Sequence, residues 1–87
     1  MPIAEMTREK VWEITQAQDR GRMVVDMWQE MAKLRANPTA QNQQRLDELV
    51  RRVDRFQSMY SGTSVQDPRV TAAYIMGIGY GMCRITD

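Results

Sequence analysis

The segment from Asp67 to Cys83 constrains the fold of this chain more than any other. It opens with Asp67-Pro68, and it carries no charged residue from Val70 to Cys83. Three small residues follow one another at intervals of four: Ala73, Gly77 and Gly81. Residues at this spacing share one face of a helix, and small side chains let a second backbone approach closely. The segment therefore predicts a tightly packed helix with a surface suited to assembly.

The glycines also leave a strand interpretation open. Gly77, Gly79 and Gly81 alternate with larger apolar residues at period two, and each glycine in a helix interior costs about 1 kcal/mol relative to alanine. We expect a helix from about Pro68 to Arg84, because aspartate followed by proline is a helix-start signal. A lone strand would also leave its backbone groups unpaired.

Two earlier helices are expected to form an antiparallel hairpin. Thr7 can cap a first helix that runs to about Arg35 with apolar residues at the helical period. Asn37-Pro38 has the pattern of a cap followed by proline at the first helical position, so a second helix should start at once and run to about Tyr60. Gly62 can end it. The predicted fold is all-α, one three-helix domain over residues 1–87 with helices at about 7–35, 38–60 and 68–84.

Composition narrows the classes of function. The chain has 87 residues, no histidine, a single cysteine and a formal net charge of +1. Such a charge gives no broad field to attract nucleic acid, and a lone Cys83 allows no internal disulfide. Because the usual general base, zinc ligands and carboxylate clusters are also missing, we expect no enzyme, no cofactor and no bound metal.

A cytoplasmic protein without a membrane span is expected. The uncharged run of 14 residues is shorter than the about 20 residues that a bilayer requires. The chain shows no basic start followed by an apolar signal region, and its single cysteine suits a reducing compartment.

Two sets of residues are candidates for contact with other chains. The chain contains eight methionines, a residue type that suits adaptable binding surfaces as well as irregular cores. The candidate partner-binding residues are Met23, Met27, Met31 and Leu34, of which Met23 and Met27 beside Leu34 are the best candidate for an exposed patch, although core is the expected place of any single methionine. The candidate self-association residues are Ala73, Tyr74, Gly77 and Gly81. Either set can instead belong to the core.

Four arginines give the second helix a basic character that suits phosphate contacts: Arg45, Arg51, Arg52 and Arg55. Asp47 and Glu48 stand four residues before Arg51 and Arg52, which is the spacing of ordinary surface ion pairs. A solvated face is therefore expected here, and nucleic-acid binding is the alternative.

The sequence thus predicts a non-enzymatic protein that binds a protein partner and associates with itself. A small stoichiometric inhibitor, of the kind that phages encode, or an adaptor fits this description and would act by occlusion or bridging. The alternatives are a nucleic-acid-binding regulator that uses the arginines, and a structural subunit of a larger assembly.

Overall fold

The computed structural model describes residues 7–61 and 67–86 and confirms the all-α, three-helix fold. The helices are α1 (Arg8–Ala36), α2 (Ala40–Ser61) and α3 (Pro68–Thr86). The described residues contain no strand, so the glycine-containing segment is helical as predicted. In this part of the chain no helix combines the length and apolarity needed to cross a bilayer.

Local capping explains where the helices begin. Thr7 Oγ1 accepts a hydrogen bond from the Lys10 backbone N–H at 3.1 Å, and Asp67 Oδ1 accepts one from the Arg69 backbone N–H at 2.9 Å. Both predicted starts are confirmed.

The α2 helix begins within two residues of its predicted start, but its predicted cap is wrong. Thr39 Oγ1 accepts a hydrogen bond from the Asn42 backbone N–H at 3.0 Å, so Thr39 caps the helix and Pro38 lies outside it. Asn37 instead ends α1, where its backbone N–H donates to the Leu34 carbonyl. Gly62, the predicted end of α2, lies outside the described residues.

The α1 and α3 helices run parallel and approach until their backbones are in contact. A Cβ atom at Gly21 would lie 2.2 Å from the Tyr74 carbonyl oxygen, and one at Gly77 would lie 2.0 Å from the Gln18 carbonyl oxygen. Further along, a Cβ at Gly81 would lie 2.8 Å from Cγ2 of Val25. Only glycine fits the first two positions, because the obstructing atoms belong to the backbone.

The α2 helix runs antiparallel to α1 and packs on another side of it. The buried core comprises Ala17, Val24, Met27, Met31, Leu49, Val53, Tyr60, Val70, Ala73 and Tyr74. Burial of these apolar side chains, which the helical period places on facing sides, holds the three helices together.

A small aromatic network joins α2 to α3. The rings of Tyr60 and Tyr74 stack with their centroids 5.1 Å apart, and the Tyr74 hydroxyl donates to Gln57 Oε1 at 3.0 Å. Arg20 of α1 donates to the Tyr60 hydroxyl and lies over the Phe56 ring, 5.6 Å from its centroid. Burial raises the pKa of the Tyr74 phenol, so it remains a hydrogen-bond donor at neutral pH.

A charge cluster ties the start of α3 to the start of α1. The Asp67 carboxylate lies 2.9 Å from Lys10 Nζ and 3.1 Å from Arg69 Nη2. Hydrogen bonds from Arg69 and then Lys10 hold the pKa of the Asp67 carboxyl well below its usual value. The cluster is near the surface, so salt should weaken it.

Alanine at Gly77 is expected to lower the free energy of unfolding by about 1–3 kcal/mol, because the added Cβ forces α1 and α3 apart. Gly79→Ala is the matched control: no described atom lies within 4 Å of a Cβ there, so helix propensity should raise stability by about 1 kcal/mol. Urea denaturation followed by circular dichroism at low protein concentration measures both. A neutral Gly77→Ala variant would contradict the backbone contact.

Asp67→Asn is expected to lower the melting temperature at neutral pH. It should also make the melting temperature less dependent on pH under acidic conditions. A carboxyl whose folded pKa is depressed contributes stability that is present above its unfolded pKa of about 3.9. That stability is lost as the pH falls toward the folded pKa. Asparagine keeps the capping oxygen and removes only the charge. Thermal melts at low salt and decreasing pH provide the measurement. An equal fall in melting temperature with decreasing pH in the wild type and in Asp67→Asn would refute the role of the cluster.

Candidate functional site

A cleft between α1 and α2 brings together residues that the sequence assigns to two different functions. Its volume is about 250 Å³, and it is lined by Met23, Asp26, Met27, Glu30, Arg45, Leu49 and Arg52. Met23 and Met27 are candidate partner-binding residues, whereas Arg45 and Arg52 are candidate phosphate contacts. The fold therefore combines two candidate sites in one.

Helical spacing and the antiparallel hairpin create this cleft. Met23, Met27 and Glu30 follow one another at intervals of four and three residues, so they share one side of α1. On α2, Arg45, Leu49 and Arg52 follow the same intervals. Because the helices run in opposite directions, each trio faces the other across the groove.

The floor of the cleft is apolar and its rim is accessible. Leu49 is fully buried and Met27 is 7% exposed, whereas Met23 is 40% exposed. A flexible thioether at the mouth can adjust its shape to an incoming apolar group.

The walls of the cleft carry charges of both signs. Arg45 Nε lies 2.8 Å from Glu30 Oε2, and this ion pair spans α1 and α2. The hydrogen bond from Arg45 lowers the pKa of the Glu30 carboxyl. Asp26 and Arg52 form no ion pair with any residue in 7–61 or 67–86, so one carboxylate and one guanidinium are available to a ligand.

The expected ion pairs from Asp47 to Arg51 and from Glu48 to Arg52 do not occur among the described residues. The Gln43 side-chain amide donates to Asp47 Oδ1 at 3.0 Å, and Glu48 lies 3.3 Å from Arg45 Nη1. The carboxylates of Asp47 and Glu48 are therefore each paired with a residue one turn earlier on α2. Arg51 and Arg55 are exposed on α2 but do not line the cleft.

Met27, a candidate for the exposed patch, is buried instead. Met27 and Met31 are 7% and 6% exposed and belong to the core, while Leu34 is half-buried. The broad apolar arc at the end of α1 is explained by α2, which packs there and covers most of it. Met23 is the member of the predicted patch that remains exposed.

The candidate self-association residues lie inside the chain. Ala73, Tyr74, Gly77 and Gly81 are all buried, with both glycines in contact with α1. Their side of α3 is therefore covered by the same chain in this structure. Sequence reasoning missed the opposing position, Gly21, although Ala17 and Gly21 on α1 repeat the interval of four between small residues.

Comparisons with protein-family models, with curated proteins and with solved structures found no match. Within residues 7–61 and 67–86, no group of three or more His, Cys, Asp or Glu side chains is placed to hold a metal ion. Function is therefore inferred from the chemistry of the cleft and of the exposed surfaces.

Aspartate substitutions at Met23 and Met27 should distinguish a side chain at the rim of the cleft from one in the core. Met27→Asp is expected to lower the free energy of unfolding by at least about 3 kcal/mol, since it removes a core side chain and buries a charge. Met23→Asp should cost less than about 1 kcal/mol, because this side chain is exposed at the mouth of the cleft and solvent can reach the new carboxylate. Urea denaturation compares them, and equal losses would contradict the assignment.

Proposed function

We propose that this protein is a non-enzymatic protein-binding module that acts through the α1–α2 cleft as a small stoichiometric inhibitor or adaptor. The observation that carries this proposal is a cleft that combines an apolar floor and an accessible methionine with walls of opposite charge. A partner inserts one apolar side chain beside Met23, above the buried Leu49, and polar groups next to that side chain contact the walls.

The size of the cleft favours a side chain over a free small molecule. Small-molecule sites usually occupy about 300–1,000 Å³, and this cleft falls below that range. Methionine lines the α1 wall and arginine lines the α2 wall, and both residue types are enriched at protein interfaces.

The charges favour a protein over a polyanion. Asp26 and Glu30 lie beside the arginines and repel phosphate groups, whereas a peptide can offer a cation to Asp26 and a carboxylate to Arg52. Complementary charges of this kind fix the orientation of a partner and raise its association rate.

Two further exposed apolar side chains lie beyond the cleft, one on each helix. Trp12, 64% exposed, precedes Met23 by 11 residues, which is close to three helical turns and keeps both on one side of α1. Met59, 46% exposed, follows Arg52 by seven residues, about two turns. Tryptophan and arginine are frequent energetic centres of interfaces. A partner that covers this side of the hairpin would have its own surface occluded.

One observation supports nucleic-acid binding as a second candidate. Among the described residues, Arg51, Arg52 and Arg55 form no ion pairs, so three positive charges on α2 are open to phosphate. Binding of this kind would weaken steeply with salt.

A photo-crosslinking amino acid at Met23 provides the test. In the cells that naturally express the chain, we expect it to crosslink a single polypeptide, because Met23 lies at the mouth of the cleft. The matched control places the same amino acid at Gln44, which is exposed on α2 outside the cleft. Arg52→Glu should remove the Met23 crosslink, since it inverts one wall.

Crosslinking at Met23 that does not exceed the Gln44 control, or that survives Arg52→Glu, would contradict the proposed site. A crosslinked product that is digested by nuclease, with binding that falls steeply as salt rises, would favour the nucleic-acid candidate instead.

A further inference from the structure

The α3 helix carries a second apolar surface, on the side opposite to α1. This outer face of α3 consists of exposed residues at helical spacing: Ala72, Ile75, Met76, Gly79, Met82 and Cys83. Ile75 is 58% exposed and Met76 is 51% exposed. The solvent side of α2, by contrast, carries Asp47, Arg51 and Asp54. A helix that keeps an apolar face after packing on its own chain has surface left for another one.

Gly79 distinguishes the outer face from an ordinary exposed helix surface. Gly77 and Gly81 are explained by the approach of α1, but no described atom lies within 4 Å of a Cβ at Gly79. Glycine there destabilises the helix relative to alanine without an apparent benefit inside the chain. Another helix that crosses at Gly79 can approach as closely as α1 does at Gly77.

We propose that a second copy of this chain covers the outer face of α3, and that the two α3 helices cross antiparallel at Gly79. Two-fold symmetry about that crossing brings Ile75 to the level of Cys83 of the partner subunit, and Met76 to the level of Met82 of the partner subunit. Each contact then joins two apolar side chains. The antiparallel arrangement also opposes the two helix dipoles, which is favourable.

The outer face of α3 carries no charge, which makes a second copy of the chain a suitable partner for it. Arg84 is five residues from Gly79, about 140° around the helix, so it lies away from the outer face. A contact centred on Gly79 therefore buries no charge, which would be costly without a counterpart. Of the three helices in the described residues, α3 alone offers a charge-free exposed face, so a second copy supplies the complement that this face requires.

The available area fits a weak dimer. At roughly 200 Å² for a fully exposed large apolar side chain, the exposed fractions of the large side chains on the outer face amount to about 300 Å² on each copy. The side chains counted are Ile75, Met76 and Met82, and the exposed Ala72, Gly79 and Cys83 enlarge this area. Two copies would together bury on the order of 600 Å² from the large side chains alone, which is the size of a weak, concentration-dependent contact. This inference does not depend on the α1–α2 cleft, which lies on other helix faces.

The mass of the full chain in solution, measured by sedimentation equilibrium over a wide range of concentration, tests the proposal. We expect a species of twice the 10.1 kDa mass of one chain. Met82→Glu should weaken the dimer at least tenfold, whereas Met59→Glu should not. These two methionines are matched, since each is 46% exposed, but Met59 lies on α2. Ile75→Glu is a second variant with the same expected effect, and circular dichroism verifies that every variant remains helical.

A mass of one chain at all concentrations would overturn the proposal and would assign the outer face to a different apolar protein. A dimer that Met82→Glu and Met59→Glu weaken equally would overturn it as well. For the crossing itself, Ile75→Cys should form a disulfide-linked dimer with Cys83 of the partner subunit under mild oxidation, while Met59→Cys should not. A dimeric Ile75→Cys protein that fails to crosslink would exclude the antiparallel crossing.

Discussion

Backbone contact between α1 and α3 is the interaction on which the rest of this structure depends. At Gly21 and Gly77 the facing backbones leave no room for a Cβ atom, and the resulting close approach increases dispersion contacts between the two helices. A chain of 87 residues has a thin core, so such contacts count for a large part of its stability. Once α3 is held in this way, α2 packs on the remaining side of α1 and reaches α3 through Tyr60 and Gln57. The cleft and the uncovered side of α3 both follow from this arrangement.

The sequence predicts the helices well because their signals are local. Thr7 and Asp67 cap their own helices, and the apolar period identifies the buried side of α2. The sequence does not predict which chain approaches Gly77, because small residues at this spacing specify only that some backbone comes close. The opposing Gly21 lies 56 positions away in the sequence, and only the tertiary fold brings the two glycines together.

The candidate site shows the same division between local and tertiary information. A helical wheel gives the width of the apolar arc around Met23 and Met27, but the position of α2 decides which of them is covered. Likewise, the interval from Glu48 to Arg52 permits an ion pair, yet Arg45 forms ion pairs with both Glu48 and Glu30. Arg52 therefore lies at the cleft without an ion pair among the described residues, and sequence intervals alone do not reveal this.

The parallel pairing of α1 with α3 has a consequence for the order of folding. The α1–α2 hairpin closes a short connection, whereas the contact of Gly21 with Gly77 closes a long one and carries a larger entropic cost. We therefore expect the hairpin to form first and α3 to dock later, onto a hairpin whose glycine-bearing side is still bare. In that order of folding, the chain would expose the facing sides of α1 and α3 at the same time. Newly made chains would then be most prone to pair wrongly with one another before α3 reaches its own α1.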